Sequence, residues 1–159
     1  MQRVKIKWGL HPILASLSED PRKGVIVYAA ATVKLLEGSF REYRIKGHIA
    51  AGVCEVRRTK IVVVGVYGKS SNDDPISAKI FRSLESIIEE LSLVYGTNQV
   101  IIAGDLNVVR ADTDTTSFHN RKPRTMEQLE VIIDRFHLTD VAVVAGNCRH
   151  TWIRSKDNQ

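Results

Sequence analysis

Cysteine is scarce: two residues, Cys54 and Cys148, far apart and without metal-site spacing. That excludes a disulfide framework and a zinc-ribbon pattern, and leaves two small core residues in a reducing compartment. Long apolar runs are missing as well. The longest, Ile61 to Tyr67, falls far short of the roughly 20 residues a spanning helix needs. The opening MQRVKIKWGL has no apolar signal region. No internal repeat, low-complexity tract or linker interrupts the chain. An intracellular protein with no membrane partner is expected.

What is present suits one domain over residues 1–159. Hydrophobic residues make up 43%, enough for a core and too many for a disordered chain. The formal net charge of +5 is compatible with a polyanionic partner such as nucleic acid, though a generic basic surface gives the same sum.

Alternation of apolar and basic residues predicts a strand at Val4 to Trp8. Further strands are expected at Gly24 to Ala31, Arg41 to His48 and Ile49 to Val56, with turns at Ser18 to Lys23, Glu37 to Ser39 and Arg57 to Lys60. Ile61 to Tyr67, β-branched almost throughout, reads as a strand buried on both faces. A helix should follow over Pro75 to Tyr95, capped from Asn72, Asp73 and Asp74, with Ile80, Phe81, Leu84, Ile87, Ile88, Leu91 and Val94 on one face. Gly96 ends it. Gln99 to Ala103 is the next strand, and a polar loop runs from Arg110 to Arg124. Thr125 with Gln128 has capping-box spacing ahead of a second helical stripe ending at Phe136. Leu138 to Val144 and His150 to Arg154 are expected strands. The fold class is α+β.

The strand, helix, strand unit from Ile61 to Ala103 is the informative part. A crossover of this kind makes its strands parallel, so both end at one rim, where functional groups gather. Tyr67 closes the first strand, and Asp105 and Asn107 follow the second. At a spacing of two in an extended segment, Asp105 and Asn107 face the same way. An Asp there supplies a hard oxygen suited to Mg²⁺, or a base that orients an attacking water. The same Gly-Asp-x-Asn run also suits plain turn formation.

The segment IIAGDLNVV resembles the Gly-Asp-(Phe/Leu)-Asn signature of the endonuclease/exonuclease/phosphatase superfamily. VVVGVYGKSS, KGVIVYAA and HTWIR resemble other strands of that superfamily in the same order. With the VKIKWG opening and the LTD after the second helix, the likeness is to the apurinic-like endonuclease domains of non-LTR (LINE-type) retrotransposons. It implies a four-layer sandwich, two packed mixed sheets flanked by helices, here incomplete. It implies Mg²⁺ (or Mn²⁺) as cofactor, DNA as partner, phosphodiester hydrolysis as the reaction, and a nuclear parent polyprotein.

By position, Asp105 resembles the carboxylate that activates the attacking water and contacts the metal indirectly. Asn107 resembles the amide that holds the scissile phosphate, and Tyr67 the phenol that donates to it. Thr151 resembles a hydroxyl residue near the DNA. Arg110, Arg121, Lys122 and Arg124 around the polar loop are the cations expected to track a DNA backbone.

The family's metal-binding Glu, its first Asn strand, and its closing Asp strand and Ser-Asp-His motif have no counterpart in this sequence. None of the five His has the right context, with His119, His137 and His150 the candidates for a substitute. The resemblance thus implies a chain cut short at both ends, with negligible nicking of its own and exposed sheet edges through which copies pair. Asp112 and Asp114 read as turn or ion-pair residues, and Trp8 and Trp152 as core or sheet residues. The rival readings are a lipid or inositol phosphate hydrolase of the same fold, and a nucleic-acid-binding relic without chemistry.

Overall fold

The computed structural model describes residues 9–20, 23–44, 46–69, 74–108 and 123–144. The expected strands Val4 to Trp8 and His150 to Arg154 lie outside them, as do Cys148, Trp8 and Trp152. The elements are β1 (Leu10–Leu17), β2 (Gly24–Ala30), β3 (Lys34–Leu35), β4 (Arg41–Glu42), β5 (Ile49–Val56) and β6 (Thr59–Tyr67). Then come α1 (Asp74–Tyr95), β7 (Val100–Asp105), α2 (Pro123–Arg135) and the single turn α3 (Val141–Val144).

The class is α+β with two packed sheets. β1 and β2 form an antiparallel pair, and the larger sheet runs β3-β5-β6-β7, with β4 also paired to β5. β5 and β6 are antiparallel across the tight Arg57–Arg58 turn, while β6 and β7 are parallel. The α1 crossover is therefore the parallel unit expected from the sequence.

The alternation of side chains along β6 sends two sets to two layers. Val62, Val64 and Val66 face the helices with Ile49, Ala51 and Val53. They meet Ile80, Phe81, Leu84, Ile88 and Leu91 of α1, all fully buried. Each such side chain contributes roughly 2 kcal/mol of burial, so the α1 stripe fixes the crossover against the sheet. Val63 and Tyr67 face the other way, toward Leu14, Val25 and Ala50. Gly65 lets the two sheets close, since a Cβ there would sit 2.5 Å from Val25 and 2.9 Å from Val27.

Several expectations are corrected. Leu10–Leu17 is a strand that the sequence pattern hides. Pro12 breaks the signal and sits where the ladder slips between Pro12 and Leu14, a position proline tolerates in a two-stranded sheet. Of the strand expected over Arg41 to His48, the described residues form a strand at Arg41–Glu42, paired with β5. Gly47, at φ +87°, then turns the chain, and its N–H is held 2.8 Å from the buried Ser16 hydroxyl. Leu138 to Val144 is not a strand. Val144 N–H bonds the Asp140 carbonyl at 3.2 Å, and Val141, Val143 and Val144 stay exposed with no sheet neighbour among the described residues. Without a strand to pair with, β-branched composition does not make a strand.

Thr125 does not cap α2 either. The helix begins two residues earlier, and Thr125 is fully buried in its first turn. The cap comes from Asp74. Its carboxylate accepts from Arg124 N at 3.0 Å, Thr125 N at 2.9 Å and Thr125 Oγ1 at 2.7 Å. Gln128 instead donates to Glu85 at 2.9 Å. Asp74 is thus the first residue of one helix and the capping group of another, which ties the starts of α1 and α2 together.

Candidate functional site

β6 and β7 end level with one another: Tyr67 and Asp105 are the last partners in their parallel register. Adjacent strands lie roughly 4.8 Å apart, and register partners share a face, so phenol and carboxylate emerge side by side. Two glycines make this possible. Gly104 has φ +137°, and a Cβ there would lie 1.9 Å from the Val66 carbonyl oxygen. Gly68 would bring a Cβ equally close, 1.9 Å, to the Leu106 carbonyl oxygen. The Gly68 N–H in turn donates to the Asp105 carbonyl at 2.7 Å, closing the rim.

Asn107 arrives by a route other than strand alternation. The strand stops at Asp105, and the Asn107 N–H donates to Asp105 Oδ1 at 3.1 Å, an Asx turn. Asn107 adopts φ +51°, a left-handed conformation that Asn tolerates better than most residues. Its Nδ2 donates to the Gly68 carbonyl at 3.0 Å. The expectation that Asp105 and Asn107 meet as i and i+2 of an extended segment is therefore wrong in mechanism. The three residues come together all the same, with Asn107 bracing the loop after β7 against the end of β6.

Asp105 is exposed and Tyr67 half-buried. Asp105 Oδ1 serves the Asn107 N–H; no described residue bonds Oδ2 or the Tyr67 hydroxyl. A hydrogen-bond donor and an anionic acceptor thus stand together at the carboxyl ends of parallel strands, which suits an anionic diester and a nucleophilic water.

The other expected site residues divide. Arg110, Arg121, Lys122 and Thr151 lie outside the described residues, as do Asp112, Asp114, His119 and His150. Arg124 is exposed at the start of α2, beside Asp74. His137 is not at the rim: it follows the far end of α2 and lines a cleft of about 720 Å³ along β7, with Ile101, Leu129, Ile133 and Phe136. Neither Tyr67, Asp105 nor Asn107 lines that cleft. Cys54 is buried in the core, and burial pushes its thiol pKa up, so it is inert packing.

The chain matches no protein-family model and no curated protein.

Mg²⁺ takes one or two carboxylates, retains waters and uses substrate phosphate. Among the described residues no three His, Cys, Asp or Glu side chains gather in one place. Asp105 offers a single oxygen, Oδ2. The described residues do not by themselves make a resident metal site.

Sequence reasoning missed His48. It precedes β5 and faces Tyr67, with Nδ1 2.7 Å from the Tyr67 carbonyl oxygen and the rings stacked at 6.1 Å and 11°. Tyr43 meets the imidazole edge-on at 6.5 Å. The signal was available, because a two-residue turn at Arg57–Arg58 places residue 48 opposite residue 67.

Proposed function

We propose that this rim binds a DNA phosphodiester, and that the chain is part of a metal-dependent DNA-nicking endonuclease of the retrotransposon type. The observation that carries the reading is the pairing of Tyr67 with Asp105 in the last register step of the parallel crossover, with Asn107 bracing the loop behind them. Tyr67 donates its hydroxyl hydrogen to a non-bridging phosphate oxygen. Asp105, through Oδ2, accepts a hydrogen bond from the attacking water, orients it and draws off its proton as the new P–O bond forms and the bond from phosphorus to the leaving sugar oxygen breaks, that oxygen taking a proton from solvent water. Asn107 keeps the Asp105 turn closed while the substrate sits above it. Mg²⁺ (or Mn²⁺) is the ion that the motif resemblance implies, with Asp105 as an indirect ligand. When bound, it would supply charge neutralisation at the phosphate.

DNA is favoured over a lipid or inositol phosphate by the motif order and by the cations that the sequence places around 110–124. Incubation with supercoiled plasmid and Mg²⁺ tests the reading. The chain alone should leave the plasmid intact while binding it with a clear salt slope. The same residues within the parent gene's flanking sequence should nick it, and Asp105→Ala should cut that rate by about 10²–10⁴. Nicking by the extended protein that is indifferent to Asp105→Ala would rule the reading out. Faster cleavage of an inositol phosphate than of DNA would reassign the substrate, and binding without cleavage by the extended protein would leave a binding module.

A further inference from the structure

The end of the larger sheet carries a row of three side chains on successive strands: His48 before β5, Tyr67 closing β6 and Asp105 closing β7. The proposed function uses the last two. His48 is bound to Tyr67 in three ways. Its carbonyl accepts from the Tyr67 N–H at 2.8 Å. Its Nδ1 reaches the Tyr67 carbonyl at 2.7 Å, and its ring lies nearly parallel to the phenol ring. A carbonyl only accepts, so Nδ1 carries the hydrogen, which fixes the tautomer and leaves Nε2 with the lone pair in the neutral ring.

The position of these contacts matters. Tyr67 is the last residue of β6, where a ladder frays unless something holds it. Its carbonyl takes the imidazole N–H as donor, and the β5–β6 ladder itself stops one step earlier at Ile49↔Val66. The imidazole ring also lies alongside the phenol ring, 6.1 Å between centroids. No protein group bonds Nε2 among the described residues, and Tyr43 packs on the imidazole edge. The imidazole is thereby held between two tyrosines, with one nitrogen committed to Tyr67.

We infer that His48 is a positioning residue of the rim, holding the Tyr67 backbone and ring where the phenol meets a phosphate oxygen. This rests on the phosphodiester reading and adds a residue to it. His48 acts through Tyr67, so the two should be coupled: without the phenol hydroxyl, nothing remains for His48 to position.

The test is a double-mutant cycle on the full chain, read as affinity for a fluorescein-labelled DNA duplex by anisotropy at low salt, with a melting curve for each variant. Tyr67→Phe should weaken binding roughly five-fold, the value of one hydrogen bond. His48→Ala should cost a similar factor, and the double variant should bind no more weakly than the weaker single. His48→Asn should recover at least half of the loss, because its amide N–H reaches the same carbonyl; it also serves as the working variant if His48→Ala fails to fold. Losses that multiply in the double variant would overturn the inference, because His48 would then act on the DNA itself. So would His48→Ala binding as tightly as the wild type while Tyr67→Phe does not.

If Tyr67→Phe leaves affinity unchanged, the phosphodiester reading fails. Positioning is then decided by the ¹⁹F line of Tyr67 in 3-fluorotyrosine-labelled protein, identified by its loss in Tyr67→Phe. A line that narrows in His48→Ala supports a held ring, and an unchanged line refutes it.

Discussion

Replacing Gly104 by Ala probes the feature on which the rim depends. The added Cβ would meet three backbone atoms of Val66: the carbonyl oxygen at 1.9 Å, the carbonyl carbon at 2.9 Å and the nitrogen at 3.0 Å. None of these is the end of a flexible side chain. For the oxygen contact to open even to 3.0 Å, β7 must withdraw from β6 by more than an ångström at that step. A shift of that size breaks an N–H···O bond whose useful range spans only about half an ångström. The two bonds most exposed to it are the ladder bond that Val66, the register partner of Gly104, makes to β7, and the Gly68 N–H to the Asp105 carbonyl at 2.7 Å. Two lost bonds cost about 1 kcal/mol each. Holding Ala at φ +137° adds about 1–3 kcal/mol of backbone strain. The sum, about 3–5 kcal/mol, lowers the melting temperature by roughly 6–20 °C in a chain of this size. Gly96→Ala is the matched control. It also has a left-handed φ, +63°, but nothing lies within 4 Å of its Cβ. It should cost only about 1 kcal/mol. Calorimetry or urea titration of both variants reads the difference. Equal, small losses would refute the close approach of β7 to β6 and with it the alignment of Tyr67 and Asp105.

Three further outcomes are expected. Burial works to raise the Asp74 pKa, and the hydrogen bonds from Thr125 and Arg124 outweigh it, leaving the group below its ordinary value. A depressed folded-state pKa contributes stability above the unfolded value, which is lost as pH falls through the folded one. Asp74→Asn should therefore cost about 1–2 kcal/mol near neutral pH, and the gap should close below about pH 4; a gap that is constant with pH contradicts the shared cap. Arg57 and Arg58 both have left-handed φ, 48° and 69°. Asn-Gly at these positions should stabilise the hairpin by about 1 kcal/mol in urea titrations, and no gain would contradict the turn geometry. β7 is an edge of the described sheet, and Ile101 on it is half exposed. Light scattering should show a dimer growing with concentration, and a monomer throughout would rule out pairing through that edge.

The crossover was legible because its signals are local and redundant. Ile61 to Tyr67 is β-branched, the α1 stripe recurs at helical spacing, and Gly96 stops the helix with a left-handed φ. Once those elements are parallel, Tyr67 and Asp105 must share a rim. What was hidden depends on pairing and packing partners rather than on local pattern. Pro12 disguises β1, whose strand character comes from pairing with β2. Thr125 has capping-box spacing, yet Asp74, fifty-one residues upstream, does the capping. The valines at 141, 143 and 144 favour a strand but have none beside them among the described residues. His48 carries no motif, and only the register across the Arg57–Arg58 turn brings it to Tyr67.

Chemical-shift mapping of the ¹⁵N-labelled chain during titration with a short DNA duplex in Mg²⁺ tests the central claim most directly. The account predicts that the amides of Tyr67, Gly68, Asp105 and Asn107 move together along one binding curve, and that Asp105→Ala changes their response. Shifts confined to the Arg57–Lys60 turn at the opposite end of the sheet, with those four amides still, would contradict it.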